Sequence, residues 1–403
     1  MPWGNPTSFS EQLLANILKP FVAVYGVGSY LRLYAYDHGY LSRHKLSVPV
    51  VSIGNLTCGG TGKTTITIDL AKRLLQMGRN VAIVSRGYCR KSSEKLLIVS
   101  DGQGRIANCA DSGDEPYMMA QAVPQAKVIV SNKRFIAAAV AVNVYNADVI
   151  LLDDGFQHLS IERDLDLVLI DYTDDLAHDL LLPAGRLREP ISALKRATNV
   201  VITKVPHNFD QAKLTYLEEV VRKYNPQVNL TSCRFIPQGL CQLGSTSLIG
   251  TDILDHAKVI ALCGIARPQS FIDLLISLHA QVVGKHIFPD HYWWRLSDVD
   301  ALKRNLVRTG AEFIVTTQKD AVRLNKDLCQ TLPICVLELD TEWLGPIPVL
   351  SNFSPILNGQ SKRNNSCCLE RAVVSERSQV ATPSKDCSKK NSSVSTENAS
   401  GNI

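Results

Sequence analysis

Two short stretches of this chain combine the residue types needed to grip and neutralise phosphate. The first is Val50-Val51-Ser52-Ile53 followed by Gly54-Asn55-Leu56-Thr57-Cys58-Gly59-Gly60-Thr61-Gly62-Lys63-Thr64 and then an amphipathic stretch. A β-branched strand, a glycine-rich loop and a helix therefore come one after another in the order that a phosphate-binding loop requires. Glycines let backbone N–H groups close around phosphate oxygens, and the helix N-terminus adds its positive dipole end. Lys63 is placed to reach the β and γ oxygens, and Thr64 to hold Mg²⁺. Thr57 stands where the general pattern has its first glycine, but Gly59, Gly60 and Gly62 still permit the turn. The nucleotide-binding set is thus Thr57, Cys58, Gly59, Gly60, Thr61, Gly62, Lys63 and Thr64.

The second stretch is Val149-Ile150-Leu151-Leu152-Asp153-Asp154, an apolar run ending in two carboxylates. Asp153 is placed to serve the magnesium shell, directly or through water. Successive strand side chains point to opposite sides, so Asp153 and Asp154 take different tasks unless the strand ends between them.

These residues need a scaffold, and the pattern supplies one. From about Val50 the chain alternates short β-branched runs with amphipathic stretches, which predicts a doubly wound α/β domain with a parallel sheet. The expected strands are 50–53, 81–85, 127–130, 149–152, 167–171 and 200–203. A stretch rich in β-formers, 228–243, reads as a connecting ribbon. A second, smaller α/β unit comes next, with strands expected at 259–262, 281–286, 313–316 and 334–338 and helices near 268–278 and 297–308. At the amino terminus, Leu13, Leu14, Ile17, Leu18, Phe21 and Val22 recur at helical spacing after a capping box of Ser8 and Glu11, and Pro20 is expected to bend or restart the helix. Five tyrosines and flanking basic residues come after it. This amphipathic helix either packs on the protein's own core or lies at a membrane headgroup boundary. The domain expectation is 1–46 for this segment, 47–225 for the nucleotide domain, 226–245 for the ribbon, 246–350 for the second unit and 351–403 for a disordered, Ser- and Lys-rich tail.

Composition excludes little else. The 403 residues are 45% hydrophobic and 20% charged, which fits a globular chain with room for two cores. A net charge of +5 over this length is too diffuse for a nucleic-acid stripe, so no nucleic-acid partner is expected. The 11 cysteines contain no C-x-x-C pair, which argues against zinc and for reduced thiols. No apolar run approaches the roughly 20 residues of a spanning helix.

The residues around and after Asp154 narrow the choice. Asp153-Asp154-Gly155-Phe156-Gln157-His158 resembles the signature of the tetraacyldisaccharide 4'-kinase family. Similar to the same family, in the same order, are the loop at 53–64, Ser85-Arg86-Gly87-Tyr88, Gly113-Asp114-Glu115-Pro116, Leu182-Pro183-Ala184-Gly185-Arg186-Leu187-Arg188-Glu189-Pro190, Phe288-Pro289-Asp290-His291 and Thr316-Thr317-Gln318-Lys319-Asp320-Ala321-Val322-Arg323. The likeness runs from about the first helix to about residue 345. Thr65 departs from a usual Pro and Gln318 from a common Glu, at positions that need do no chemistry.

The resemblance implies transfer of the ATP γ-phosphoryl group to the 4'-hydroxyl of a tetraacylated glucosamine disaccharide 1-phosphate, with ATP and Mg²⁺ bound. It implies an N-terminal helix on the membrane surface, a glycolipid partner, and an address on the cytoplasmic face of a bacterial inner membrane, with the mitochondrion of a photosynthetic eukaryote as the alternative. It also implies Asp114 and His291 as a dyad handling the acceptor proton, beside Lys63 and Asp154 as catalytic groups, and Glu115, Arg134, His158 and Arg186 as groups facing substrate. Asp114 also reads as a helix cap, and the two arginines equally as surface salt bridges. The competing expectation is a regulatory ATPase or GTPase with a deviant loop, although such proteins carry a signature lysine where this chain has Cys58.

Overall fold

In a computed structural model of the chain, residues 9–349 are described except 105, 246 and 325–330, with side chains described from residue 16 onward. The expected tail and Ser8 of the expected capping box lie outside the described residues. The strands are β1 (Val50–Asn55), β2 (Val81–Ser85), β3 (Leu96–Asp101), β4 (Lys127–Ser131), β5 (Val149–Asp153), β6 (Leu165–Asp171), β7 (Asn199–Thr203), β8 (Asn229–Gln242), β9 (Leu248–Ile249), β10 (Lys258–Cys263), β11 (Gln281–Ile287), β12 (Phe313–Thr317) and β13 (Ile334–Trp343). The helices are α1 (Phe9–Asp37), α2 (Lys63–Gln76), α3 (Cys109–Ser112), α4 (Asp114–Ala122), α5 (Arg134–Asn143), α6 (Gln211–Tyr224), α7 (Pro268–Ser277), α8 (Leu296–Thr309) and α9 (Gln318–Ala321).

The strands form one sheet in the order β11-β10-β12-β13-β8-β7-β6-β1-β5-β2-β4-β3, with β9 on β8. The six strands from β7 to β4 in that order are parallel, as the alternating pattern predicts. Strands β1, β2, β5, β6 and β7 are buried along their whole length. Such strands read as unbroken apolar runs because helices cover both faces. On one face Ile66, Leu70 and Leu74 of α2 and Met118 and Met119 of α4 meet Val51, Ile53 and Leu151. On the other, Ala137, Ala138 and Ala141 of α5 meet Val50, Val84 and Ile150. The chain leaves β1 for β2 on one side and later adds β6 on the other, which opens a crevice at the carboxyl ends of these strands, where open α/β sheets bind ligands.

Two elements depart from expectation. β3 lies outside the expected strands although Leu96-Leu97-Ile98-Val99 is as unbroken an apolar run as those of the central strands; it is an antiparallel edge strand on β4 and its burial is partial. Helix α1 runs through Pro20 as one helix of 29 residues instead of restarting there. Of the expected stripe, Ile17 and Phe21 are exposed while Leu18 and Val22 are half-buried, and Val24, Val27, Tyr30 and Leu31 of α1 extend the outward apolar surface. Among the described residues no helix is long and apolar enough to cross a membrane.

The ribbon is β8 itself. Its first residues pair in parallel with β7 and its remainder pairs antiparallel with β13, which joins the two halves of the sheet edge to edge.

Candidate active site

The register of β1 against β5 sets Ile53 level with Asp153, so the glycine loop and the acidic pair leave the sheet side by side. Gly54 is required by that closeness: a Cβ there would lie 2.5 Å from Cβ of Phe156 and 2.7 Å from its backbone nitrogen. Gly62, at φ 86°, turns the chain into α2 in a conformation that L side chains rarely adopt. Around Gly59 and Gly60 the space a Cβ would fill is open, which leaves room for phosphate. The loop is clamped from behind: Thr203 Oγ1 donates to the Thr61 carbonyl at 2.8 Å and Lys204 Nζ donates to the Gly60 carbonyl.

Lys63 begins α2. Its ammonium lies 3.1 Å from Asn55 Oδ1 and 3.5 Å from Asp154 Oδ1, with the side chain 13% exposed. Asp154 has φ 48° and accepts from Arg188 Nη1 on both oxygens at 2.9 Å, while its carbonyl accepts from Arg134 Nη1 at 2.8 Å. Burial pushes the Asp154 carboxyl up, but Lys63 and Arg188 outweigh it and hold it well below the usual range. Asp153 behaves oppositely. It is buried, and burial with the neighbouring Glu115 and Asp154 charges raises it to about 7. Its Oδ2 accepts from Ser85 Oγ at 3.1 Å, whereas Oδ1 is buried without a protein partner. An orphaned carboxylate oxygen beside a phosphate loop fits a cation.

From Ser85 a line of contacts leads to the second group of residues. Gly87 N donates to Ser85 Oγ at 3.5 Å, and the Tyr88 ring meets the His291 ring edge-on at 5.2 Å. His291 Nδ1 lies 2.8 Å from Asp114 Oδ2. Asp114 is the first residue of α4, is 4% exposed, and accepts from the Glu115 backbone N–H at 3.0 Å. Burial pushes Asp114 up, but the His291 hydrogen bond, Lys319 and Arg323 more than offset it and lower its pKa below the ordinary carboxylate value. Lys319 of α9 sits 3.3 Å from Glu115 Oε1 and 3.2 Å from Asp290 Oδ1. Arg323 Nε lies 3.8 Å from Asp114 Oδ2.

The remaining expected substrate groups are occupied by protein. Arg186 commits its guanidinium to Asp174 at 2.7 Å and Asp179 at 2.8 Å, so its side chain braces the loop after β6, while its carbonyl accepts from Cys58 N at 2.7 Å. His158 Nε2 pairs with Ser160 Oγ at 2.9 Å, and burial with the nearby Arg134 and Arg163 charges lowers it to about 3, so its ring is neutral. Arg134 is 5% exposed behind Asp154. Asn55, Ser85, Arg188, Asp290, Lys319 and Arg323 were not singled out from sequence, although every one lies inside one of the family-like motif segments. Described cysteines 58, 89, 109, 233, 241, 263 and 335 are free thiols, and no cluster of three metal-ligating side chains occurs among the described residues.

The family model for tetraacyldisaccharide-1-P 4'-kinase matches residues 14–352. A tetraacyldisaccharide 4'-kinase of Anaeromyxobacter sp. (strain Fw109-5) is 36% identical over 340 residues, covering 84% of this chain and 91% of the relative. One from Geobacter sulfurreducens is 34% identical over 354 residues, covering 88% and 97%. A crystal structure of LpxK from Aquifex aeolicus in complex with ATP superposes with a TM-score of 0.68 at 30% identity, covering 85% of this chain and 99% of that one.

Proposed function

This chain belongs to the tetraacyldisaccharide-1-P 4'-kinase family, and we propose that it moves the γ-phosphate of ATP to the 4'-hydroxyl of a tetraacylated glucosamine disaccharide 1-phosphate, a step of lipid A assembly. It is a kinase, and the relatives favour this over a regulatory switch ATPase or GTPase.

The observation that carries the chemistry is the 2.8 Å contact between His291 Nδ1 and Asp114 Oδ2, one residue from each half of the sheet. Phosphoryl transfer asks for charge neutralisation, alignment and a group to take the alcohol proton. Lys63 and the glycine loop hold the phosphates. Mg²⁺, held by Thr64 and Asp153, would neutralise phosphate charge. Arg188 and Lys63 keep Asp154 ionised, so it remains an anion that orients the lysine. The Asp114–His291 pair takes the acceptor proton: the carboxylate fixes the imidazole's orientation and supports positive charge on it. Glu115, Arg134 and His158 shape the surrounding wall, and Arg186 supports the loop. Residues 47–225 and 246–350 act as the two bodies between which the site is completed, which would keep water from the phosphoryl group.

The outward apolar stripe of α1, bordered by tyrosines and Arg32, seats the enzyme on a membrane surface next to its glycolipid. The cytoplasmic face of a bacterial inner membrane supplies both ATP and that lipid; the relatives are bacterial.

Radiolabelled transfer from ATP to tetraacyldisaccharide 1-phosphate in detergent tests the reading. The unmodified chain should label the glycolipid, and Lys63→Ala and Asp114→Ala should not. Free ATP hydrolysis with the glycolipid left unlabelled would sink it.

A further inference from the structure

Helix α1 touches the nucleotide crevice by two separate routes, and both end on Lys63. Tyr25 Oη donates to the Arg188 carbonyl at 2.9 Å, Arg188 Nη1 holds both Asp154 oxygens at 2.9 Å, and Asp154 Oδ1 lies 3.5 Å from Lys63 Nζ. Arg32 Nη2 donates to the Gln157 carbonyl at 2.9 Å, Gln157 Nε2 donates to the Asn55 carbonyl at 2.9 Å, and Asn55 Oδ1 accepts from Lys63 Nζ at 3.1 Å. Tyr25 and Arg32 are seven residues apart, two turns along one side of the helix. A helix that only needed to dock would do so through its apolar contacts. Here two polar tips instead grip the backbone of the two segments that carry the phosphate-handling side chains. Phe21, one turn before Tyr25, shares that side of the helix, and with Ile17, Val24 and Leu31 on the adjoining flank it is exposed.

We propose that Tyr25 and Arg32 are positioning residues for phosphoryl transfer, linking the seating of α1 in lipid to the placement of Lys63 and Asp154. The proposal rests on the membrane-surface reading of α1. Hydrogen bonds to a carbonyl fix the peptide plane of Arg188 and Gln157, and with it the direction from which each side chain reaches inward. When α1 is seated, both planes are fixed and Lys63 is held between Asn55 and Asp154. When α1 is free to shift, the two clamps loosen together. Coupling of this kind is reciprocal: lipid that favours the seated helix tightens nucleotide binding, and bound nucleotide strengthens attachment to lipid.

The test uses the full chain and a fluorescent ATP analogue, titrated with and without vesicles of phosphatidylethanolamine and phosphatidylglycerol. The unmodified chain should bind the analogue at least about fivefold more tightly with vesicles, the lower end of ordinary coupling. Tyr25→Phe with Arg32→Met should abolish that difference while still pelleting with the vesicles, and should lower kcat for the glycolipid without raising its KM. Arg32→Lys, which keeps a donor for the Gln157 carbonyl, should restore part of both. Vesicle-enhanced nucleotide binding that survives in the double variant would overturn the proposal, as would its absence from the unmodified chain or a change confined to KM. A change in thermal midpoint that Arg32→Lys restores without restoring kcat would also overturn it, since that is mere docking. Failure of glycolipid labelling with the vesicle effect intact would count against the kinase reading and leave this coupling standing.

Discussion

Replacing Lys319 with methionine removes one cation from among three acids, Glu115, Asp290 and Asp114, and leaves the hydrocarbon stem in place. The ammonium lies 3.3 Å from Glu115 and 3.2 Å from Asp290. At an effective dielectric constant of about 20, each gross attraction is about 5 kcal/mol. The side chains of Lys319, Glu115 and Asp290 remain 23%, 28% and 34% exposed, so solvent and desolvation cancel most of this. The net loss then falls between an exposed pair and a broken buried one, about 2 kcal/mol for both contacts together. That corresponds to a fall in thermal midpoint of roughly 3 °C, readable by calorimetry. The larger consequence is on Asp114. Burial pushes its pKa up and His291, Lys319 and Arg323 bring it down, so losing Lys319 moves it upward. A folded-state pKa below the unfolded one means stability that is present above the ordinary carboxylate range and lost as pH falls through the folded value. In Lys319→Met the folded value lies closer to the unfolded one, so this contribution is smaller and its loss is complete at higher pH. The acid limb of kcat/KM should move up with it, by on the order of one pH unit for each ~1.4 kcal/mol of lost interaction, while the rate well above neutrality changes little. An acid limb that stays in place while kcat falls equally at every pH would refute the reasoning, because Lys319 would then be acting on substrate and not on Asp114.

Arg188→Ala removes both 2.9 Å bonds to Asp154, and charge-assisted bonds of this kind are worth about 1.5–3 kcal/mol, so steady-state kinetics should show kcat/KM down by roughly 10- to 150-fold. Gly62→Ala places a Cβ 2.4 Å from the Phe235 ring at φ 86°, a backbone strain of about 1–2 kcal/mol plus the clash; ATP titration should show weakened binding, and adding Phe235→Leu should recover only the clash. Asp153, at about 7, binds a proton below neutrality, so the apparent affinity for Mg²⁺ should weaken about tenfold per unit as pH falls below that value and level off above it. Magnesium titrations of activity at several pH values check this, and a pH-independent affinity would remove Asp153 from the metal shell.

Most of the scaffold was legible because parallel strands covered on both faces leave unbroken β-branched runs: β2 was read to the residue, and β1, β4, β5 and β7 to within one or two at their ends. Edge strand β3 carries a run of the same kind, Leu96-Leu97-Ile98-Val99, which the expected strands pass over. The loop at 54–64 and the acidic pair were legible because glycine, lysine and carboxylate chemistry imposes local spacing. Pairing between distant segments was not. Nothing in Leu-Arg-Glu says that Arg188 reaches Asp154 while Arg186, two residues earlier, turns to Asp174 and Asp179. Neighbouring arginines of one motif differ only in which way the loop presents them, and that is decided by packing across the sheet. Lys319 was invisible for the same reason: its partners lie in α4 and in the loop holding Asp290.

The sheet has a mechanical consequence at β8. Residues 229–232 ladder onto β7 and 233–242 onto β13 with one bulge at Gln238, so the two halves of the sheet are joined by a laminated strip and not by a slack tether. Any approach of Asp290 and His291 to the glycine loop would have to bend that strip like a leaf spring, with small angular travel. Amides in the middle of β8 should exchange slowly whether or not ligands are present, and catalysis should tolerate inserted residues poorly there, since lengthening the spring would misalign the jaws it carries.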